Sequence, residues 1–289
     1  MSPSSSPSPA ASSDPRPAGR AGIDLAVDGA AGPLPARVYG TTVRAAPSAR
    51  KPDLLVFFHG GGFGAGTLDP ADPILRQLVA GHPDLIVLAS TYTLASVQPF
   101  PAAAEDAHAV LRWAQAHAAR LGWNGRRLIV AGVEAGANLA AVAALMARDR
   151  GTPRLAGQIL VMPMLDPSLS SASMRATPHD AVRRDLADAC AAGYRGYLPH
   201  PSDRIHPYAS PLQSSRLRGM APALILTVDG DPLRDEAEHY GARLRASGVA
   251  ATVLRLPAVA LPSADGRDEC AASAAVLAAI GDFLADINK

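Results

Sequence analysis

A run of three glycines directly follows a strongly apolar segment of the chain. The run is His59-Gly60-Gly61-Gly62-Phe63, and residues 54–58 before it read LLVFF. Because glycine has no side chain, the backbone N–H groups of such a loop can point into a cavity. Donors of this kind stabilise the oxyanion that develops during acyl transfer. The loop therefore predicts an oxyanion hole, with His59 bracing it; the alternative interpretation is a plain glycine-rich turn.

The elements that would position this loop alternate between apolar runs and helical patterns, which predicts a mostly parallel sheet flanked by helices. A Pro- and Ser-rich region, 166–212, interrupts the alternation and has no clear strand. Such an insertion predicts a small lid over the carboxyl ends of the strands, where ligands bind in open α/β sheets. The predicted strands are 23–27 and 35–39 (a hairpin), 54–58, 85–89, 128–131, 158–162, 223–228 and 252–256, and the predicted helices are 102–120, a run ending near 146, 234–247 and 270–286.

Three further stretches carry a family resemblance. Residues 92–107 include YTLASVQPFPAA followed by EDA, residues 163–166 read PMLD, and residues 231–236 read DPLRDE. In this order, and together with the glycine loop, they resemble the hormone-sensitive-lipase-like carboxylesterases of the α/β-hydrolase superfamily. The resemblance implies one α/β-hydrolase domain over residues 21–289, with the lid at about 166–212, and we expect residues 1–20 to be a disordered tail.

The resemblance also identifies the nucleophile elbow, the strand-to-helix turn that carries the catalytic serine. The family sequence there is GDSAGG, whereas this chain has Gly132-Val133-Glu134-Ala135-Gly136-Ala137. Glu134 thus takes the nucleophile position, and Gly132 and Gly136 keep the small residues that the turn needs. Ala135 would complete the oxyanion hole with Gly61 and Gly62.

The rest of the implied catalytic triad is incomplete. Asp231 corresponds to the acid, but Leu261 stands where the family has its histidine, and all eight histidines lie at or before His239. Loss of a triad reduces turnover by about six orders of magnitude in a related chemistry. We therefore expect no conventional serine-esterase activity.

Three roles for the site remain open. Glu134 could fold into the oxyanion hole, accept its N–H groups and leave a binding or regulatory pseudo-enzyme. It could instead be a general base or nucleophile in non-hydrolytic or unconventional chemistry, if apolar neighbours favoured its protonated form. Ester hydrolysis by an unrecognised route is the third, with Ser96, Ser210 and Ser263 as stand-in hydroxyls.

The composition of the chain argues against several classes of binding partner. The formal net charge is +1 without a basic block, which argues against nucleic acid, and no apolar run is long enough to span a membrane. Cys190 and Cys270 lack metal-ligand spacing, so we expect no metal and no cofactor. Two isolated thiols are typical of a cytoplasmic protein. A small-molecule ligand is expected, and formation of a homodimer is left open.

Overall fold

The computed structural model describes residues 22–40, 51–176, 181–257, 267, 271 and 273–287. The tail predicted at residues 1–20 lies outside this part of the chain. Within it, no helix is both long and apolar enough to cross a bilayer.

A single sheet organises the described part of the chain, and its eight strands there run in the order β1-β2-β4-β3-β5-β6-β7-β8. The first two strands form an antiparallel hairpin, and β2 joins β4 antiparallel. All the remaining neighbours are parallel. The strands are β1 (Ile23–Asp28), β2 (Pro33–Tyr39), β3 (Asp53–Phe58), β4 (Leu85–Ser90), β5 (Leu128–Val133), β6 (Leu155–Val161), β7 (Ala223–Val228) and β8 (Ala251–Leu256).

Helices cover both faces of the sheet, as the uniformly buried strands β3, β4, β5 and β7 require. Alternate residues of β3 enter separate cores, Leu54 and Phe58 on one face and Leu55 on the other. Helices α2, α4, α6 and α7 contribute to the first core, and α1 and α8 to the second. The helices are α1 (Asp72–Gly81), α2 (Ala102–Ala116), α3 (Ala118–Leu121), α4 (Ala135–Asp149), α5 (Ala172–Arg175), α6 (Ala181–Tyr197), α7 (Arg234–Ala246) and α8 (Ala274–Asp286).

The fold class inferred from the sequence is confirmed, and each predicted strand coincides with an observed one to within a few residues. Two differences concern helices. The predicted helix 102–120 is divided at His117 into α2 and α3, and α1 was not predicted. Residues 166–212 contain helical segments and, in their described part, no strand.

The sheet topology brings three loops to one edge. The glycine loop follows β3, Glu134 follows β5 and Asp231 follows β7. Because β3, β5, β6 and β7 are parallel, their carboxyl ends lie at the same edge of the sheet. Glu134 can therefore meet Gly61, which is 73 positions earlier in the sequence, and Asp231, which is 97 positions later.

Candidate active site

The turn between β5 and α4 holds Glu134 in an unusual backbone conformation. Its φ is 55° and its ψ is −113°, a region that residues with side chains rarely adopt. The flanking glycines allow this turn. A Cβ on Gly132 would lie 2.2 Å from the carbonyl oxygen of Gly136, and a Cβ on Gly136 would lie 2.1 Å from that of Phe58. The structure thus forms the sharp elbow predicted from the spacing of these glycines.

The side chain of Glu134 turns into the glycine loop. Its Oε2 accepts hydrogen bonds from the backbone N–H groups of Gly61 (2.7 Å) and Gly62 (3.1 Å). The carboxylate also lies at the N-terminal end of α4, where the helix dipole favours negative charge. The two donors that would receive an oxyanion are therefore occupied by a carboxylate of the same chain.

A buried arginine holds the other carboxylate oxygen. Arg267 donates from Nη1 to Oε1 of Glu134 at 2.9 Å and from Nη2 to Oδ1 of Asp231 at 3.0 Å. Its side chain is 2% exposed, and those of Glu134 and Asp231 are 8% and 0% exposed. Glu134, Arg267 and Asp231 form a continuous buried chain, which we call the Glu-Arg-Asp bridge.

The electrostatics of this bridge keep the guanidinium charged. Burial opposes the charge on Arg267, but the carboxylates of Asp231 and Glu134 outweigh that effect and raise its pKa above the ordinary value. Arg267 therefore cannot accept a proton from a hydroxyl group. It can hold Asp231, as the histidine of a triad does, but it cannot replace that histidine as a base.

Cys190 of α6 packs against the bridge. Its Sγ lies 3.8 Å from both Nη1 and Nη2 of Arg267. Burial raises the pKa of this thiol to about 12, although the nearby arginine opposes the shift. At neutral pH it is a protonated thiol, and a protonated thiol is a poor nucleophile.

His59 braces the glycine loop. Its Nδ1 donates to the carbonyl oxygen of Gly60 at 2.6 Å, and its ring stacks on Tyr92 with 4.5 Å between centroids. Burial lowers the pKa of His59, so the ring is neutral at pH 7. A Cβ on Gly66 would lie 2.4 Å from Nδ1, which shows how closely the loop wraps this ring.

The DPLRDE segment carries Asp231 and is bonded to the segment after β6 through Glu236. The Oε1 atom of Glu236 accepts from the backbone N–H groups of Leu165 (2.7 Å) and Asp166 (3.3 Å). Asp231 Oδ1 accepts from the N–H of Leu233 as well as from the bridge. Two of the segments that carried the family resemblance, 163–166 and 231–236, are thus bonded to each other.

Helix α6 lies directly over the glycine loop. A Cβ on Gly193 would come 2.6 Å from the carbonyl oxygen of Gly62, and the ring of Phe63 stacks on Tyr197 at 4.0 Å. A cavity of about 500 Å³ remains between the loop, the elbow and this helix, with Glu134 and Arg267 among its lining residues.

The structure therefore brings together most of the residues singled out in the sequence, namely His59, Gly60, Gly61, Gly62, Gly132, Glu134, Gly136 and Asp231. Ala135 begins α4 beside them, but within the described residues its N–H makes no hydrogen bond to Glu134. Leu261 and Ser263 lie outside the described residues.

The two described stand-in serines are engaged elsewhere. The hydroxyl of Ser96 donates to the carbonyl oxygen of Gly64, and that of Ser210 donates to the carbonyl oxygen of Arg204. His239 is exposed on α7. The residue missed from the sequence is Arg267, which lies in an ordinary run of mixed charges, ADGRDE, and has no counterpart in the quoted motifs.

Comparisons with known proteins agree with this geometry. A family model described as alpha/beta hydrolase fold matches residues 55–260. Esterase LipI of Mycobacterium tuberculosis is 39% identical over 232 residues, which cover 78% of this chain and 70% of LipI. Carboxylic ester hydrolase LipN of the same organism is 40% identical over 234 residues, and this chain spans only 60% of its length.

A solved structure gives the same result. The crystal structure of a thermostable esterase from Pseudomonas putida ECU1011 superposes with a TM-score of 0.78 at 30% identity, covering 90% of this chain and 81% of the esterase. With the sheet order, the elbow and the glycine loop, these matches establish that the chain belongs to the hormone-sensitive-lipase-like esterase family of the α/β-hydrolase superfamily.

Proposed function

We propose that this chain is a non-catalytic member of its family that retains a small-molecule cavity and acts as a binding or regulatory protein. The observation that carries the proposal is the position of the Glu134 carboxylate. It accepts both glycine N–H groups of the oxyanion hole and is held there by Arg267. A substrate carbonyl would have to displace a buried ion pair to reach those donors.

Two requirements of serine-esterase chemistry are unmet at the elbow. Glu134 supplies no hydroxyl, and the group bonded to Asp231 is a charged guanidinium that cannot remove a proton. A role for Glu134 as general base is disfavoured by its contacts, because Oε2 already accepts two hydrogen bonds and Oε1 accepts one from Arg267. A free Cys190 is consistent with the cytoplasmic location that we propose.

Hydrolysis of short-chain p-nitrophenyl esters by the purified protein tests the proposal. We expect no turnover above a heat-inactivated control, and no labelling by a fluorophosphonate probe. The Glu134→Ser variant should stay equally inactive, because a serine without a base is a weak nucleophile near pH 7. Robust turnover by the wild-type protein would overturn the proposal, whether or not the turnover persists when Glu134 is replaced.

A further inference from the structure

The Glu-Arg-Asp bridge determines which hydrogen-bonding groups the cavity offers to a ligand. We call the part of the cavity lined by Glu134 and Arg267 its floor. An oxyanion hole presents N–H donors, which select carbonyl oxygens and carboxylates. Here the N–H groups of Gly61 and Gly62 are used by Oε2 of Glu134, and Nη1 and Nη2 of Arg267 are used by the two carboxylates. Within the described residues the Nε of Arg267 has no hydrogen-bond partner, but it is buried. Of the two charged side chains that line the cavity, Glu134 is therefore the one that can still offer a hydrogen-bonding position to a ligand, and its carboxylate is an acceptor.

One oxygen of that carboxylate still has room for a donor. A carboxylate oxygen accepts about two hydrogen bonds. Oε2 has its two from the glycine loop, whereas Oε1 has one, from Arg267. Since Glu134 lines the cavity, a donor atom of a ligand can complete the coordination of Oε1.

The charge of the floor points in the same direction. Glu134 and Asp231 carry two formal negative charges and Arg267 carries one positive charge, so the bridge has a net charge of −1. Glu134 and Arg267 line the cavity, whereas Asp231 contributes its charge from a fully buried position next to Arg267. The other described lining residues are uncharged, because burial lowers the pKa of His59 and the rest have no ionisable side chain. A cationic donor would be attracted here, and an anion would be repelled.

The walls limit the rest of the ligand. They are formed by small residues, among them Ala65, Ala189, Ala192 and Val133. A volume of about 500 Å³ is within the range of pockets that enclose small organic ligands.

We propose that this cavity binds small molecules with a primary ammonium group attached to a compact apolar body, and that it rejects esters and carboxylates of the same shape. The ammonium group donates to Oε1 of Glu134 and compensates the net negative charge of the bridge. This inference rests on the proposed function, in which the Glu134 carboxylate remains in the oxyanion hole.

A series of small phenyl compounds tests the preference. Benzylamine, benzyl alcohol, methyl benzoate and benzoate share the apolar ring and differ in the group that meets the floor. Binding to the full-length protein is followed by saturation-transfer NMR, with dissociation constants from calorimetry. We expect benzylamine to bind at least tenfold more tightly than methyl benzoate, benzyl alcohol to be intermediate, and benzoate not to bind.

Two variants assign the preference to Glu134. Glu134→Gly restores free N–H donors beside Arg267 and suits the positive φ, so the order should reverse and benzoate should bind best. Glu134→Gln keeps the shape of the side chain and removes its charge, so the tenfold advantage of benzylamine should disappear even if the glycine variant does not fold. Glu105→Gln, which removes a surface carboxylate paired with Arg150, is the control and should keep the wild-type order.

The outcomes separate this inference from the proposed function. Ester turnover by the wild-type protein would remove both. A wild-type protein without turnover that binds methyl benzoate or benzoate as well as benzylamine, or that binds none of the series, would overturn the ammonium preference alone. Retention of the preference in Glu134→Gln would also overturn it.

Discussion

At the scale of single residues, the site depends on a charge balance that one side chain maintains. Arg267 forms an ion pair with each of two carboxylates that are almost completely buried, and it carries a single positive charge. Removing one partner of a buried ion pair costs much more than the pair itself contributes, because the remaining charge is left without compensation. Arg267 should therefore be a strong determinant of stability.

The Arg267→Met variant measures this dependence. We expect its free energy of unfolding in urea to fall by about 3–5 kcal/mol, because Glu134 and Asp231 lose their shared partner. Arg126→Met is the matched control, since Arg126 is exposed, and it should change the value by less than about 0.5 kcal/mol.

A compensated variant distinguishes charge from packing. Adding Glu134→Gln and Asp231→Asn to Arg267→Met removes the uncompensated carboxylates, so most of the lost stability should return. A loss below about 1 kcal/mol for Arg267→Met, or no recovery in the triple variant, would show that the bridge is not electrostatically coupled.

The sequence predicts only some of the residues that form the site. Glu134 and Asp231 are identified because they stand inside motifs with fixed spacing. Arg267 is not, because a search for a base looks for histidine, and because its contacts reach 133 and 36 residues back along the chain. Only the three-dimensional fold brings those positions together.

At the scale of elements, the contact between α6 and the glycine loop decides how tightly the site is covered. Gly193 and Gly196 lie one turn apart on α6 but face different surroundings. A Cβ at Gly193 would meet the carbonyl oxygen of Gly62 at 2.6 Å, whereas a Cβ at Gly196 would meet no atom within 4 Å. The backbone of α6 can thus approach the loop only where a side chain is absent.

Alanine at these two glycines should have opposite effects. Gly196→Ala should raise the melting temperature, with a gain of about 0.5–1 kcal/mol in the free energy of unfolding, since alanine favours the helix. Gly193→Ala should lower it by about 1–3 kcal/mol, because α6 must move away from Gly62. Thermal unfolding of the pair checks this, and equal effects of the two substitutions would contradict the close approach.

The sequence predicts the strands well because each is a short apolar run between turn residues. It predicts the lid less well, since a region of helical fragments has no strong periodicity and its packing depends on contacts such as Phe63 on Tyr197. Helix α1 is not predicted from the sequence, although Ile74, Leu75 and Leu78 have helical spacing and are buried. Pro73 argues against a helix at this position when the sequence is considered alone, but proline is well tolerated in the first turn of a helix.

At the scale of the whole molecule, the order of the landmarks along the chain was sufficient to predict the fold. Each buried strand contributes to one continuous sheet in the described part of the chain, so local errors at helix ends leave the architecture unchanged. The side-chain contacts of the site cannot be predicted from the order of these landmarks, because they depend on which residues meet at the carboxyl ends of the strands.

The pH dependence of global stability should show the effect of one buried side chain at this end of the sheet, Glu236. Burial raises the pKa of Glu236 well above its ordinary value of 4.5, and the charge of Asp166 adds to the shift. Above pH 4.5 the unfolded chain loses this proton while the native protein keeps it. The native state then binds more protons, so the contribution of Glu236 to stability declines as pH rises.

The Glu236→Gln variant removes that contribution. Its free energy of unfolding relative to wild type should rise between pH 5 and pH 7, by up to about 1.4 kcal/mol per pH unit. Glu238→Gln on the same helix is the control: Arg255 lowers the pKa of Glu238, so it is ionised in both states and the difference should stay constant. A constant difference for Glu236→Gln as well would contradict the prediction.

The carboxylate in the glycine loop also has a consequence for competition. Glu134 is a tethered ligand of its own oxyanion hole, and a tethered group acts at an effective concentration of at least the order of millimolar. Free carboxylates, including the acids that an esterase of this family would release, compete with a partner that never diffuses away. Free acids at concentrations well below that value therefore do not displace Glu134 from the oxyanion hole.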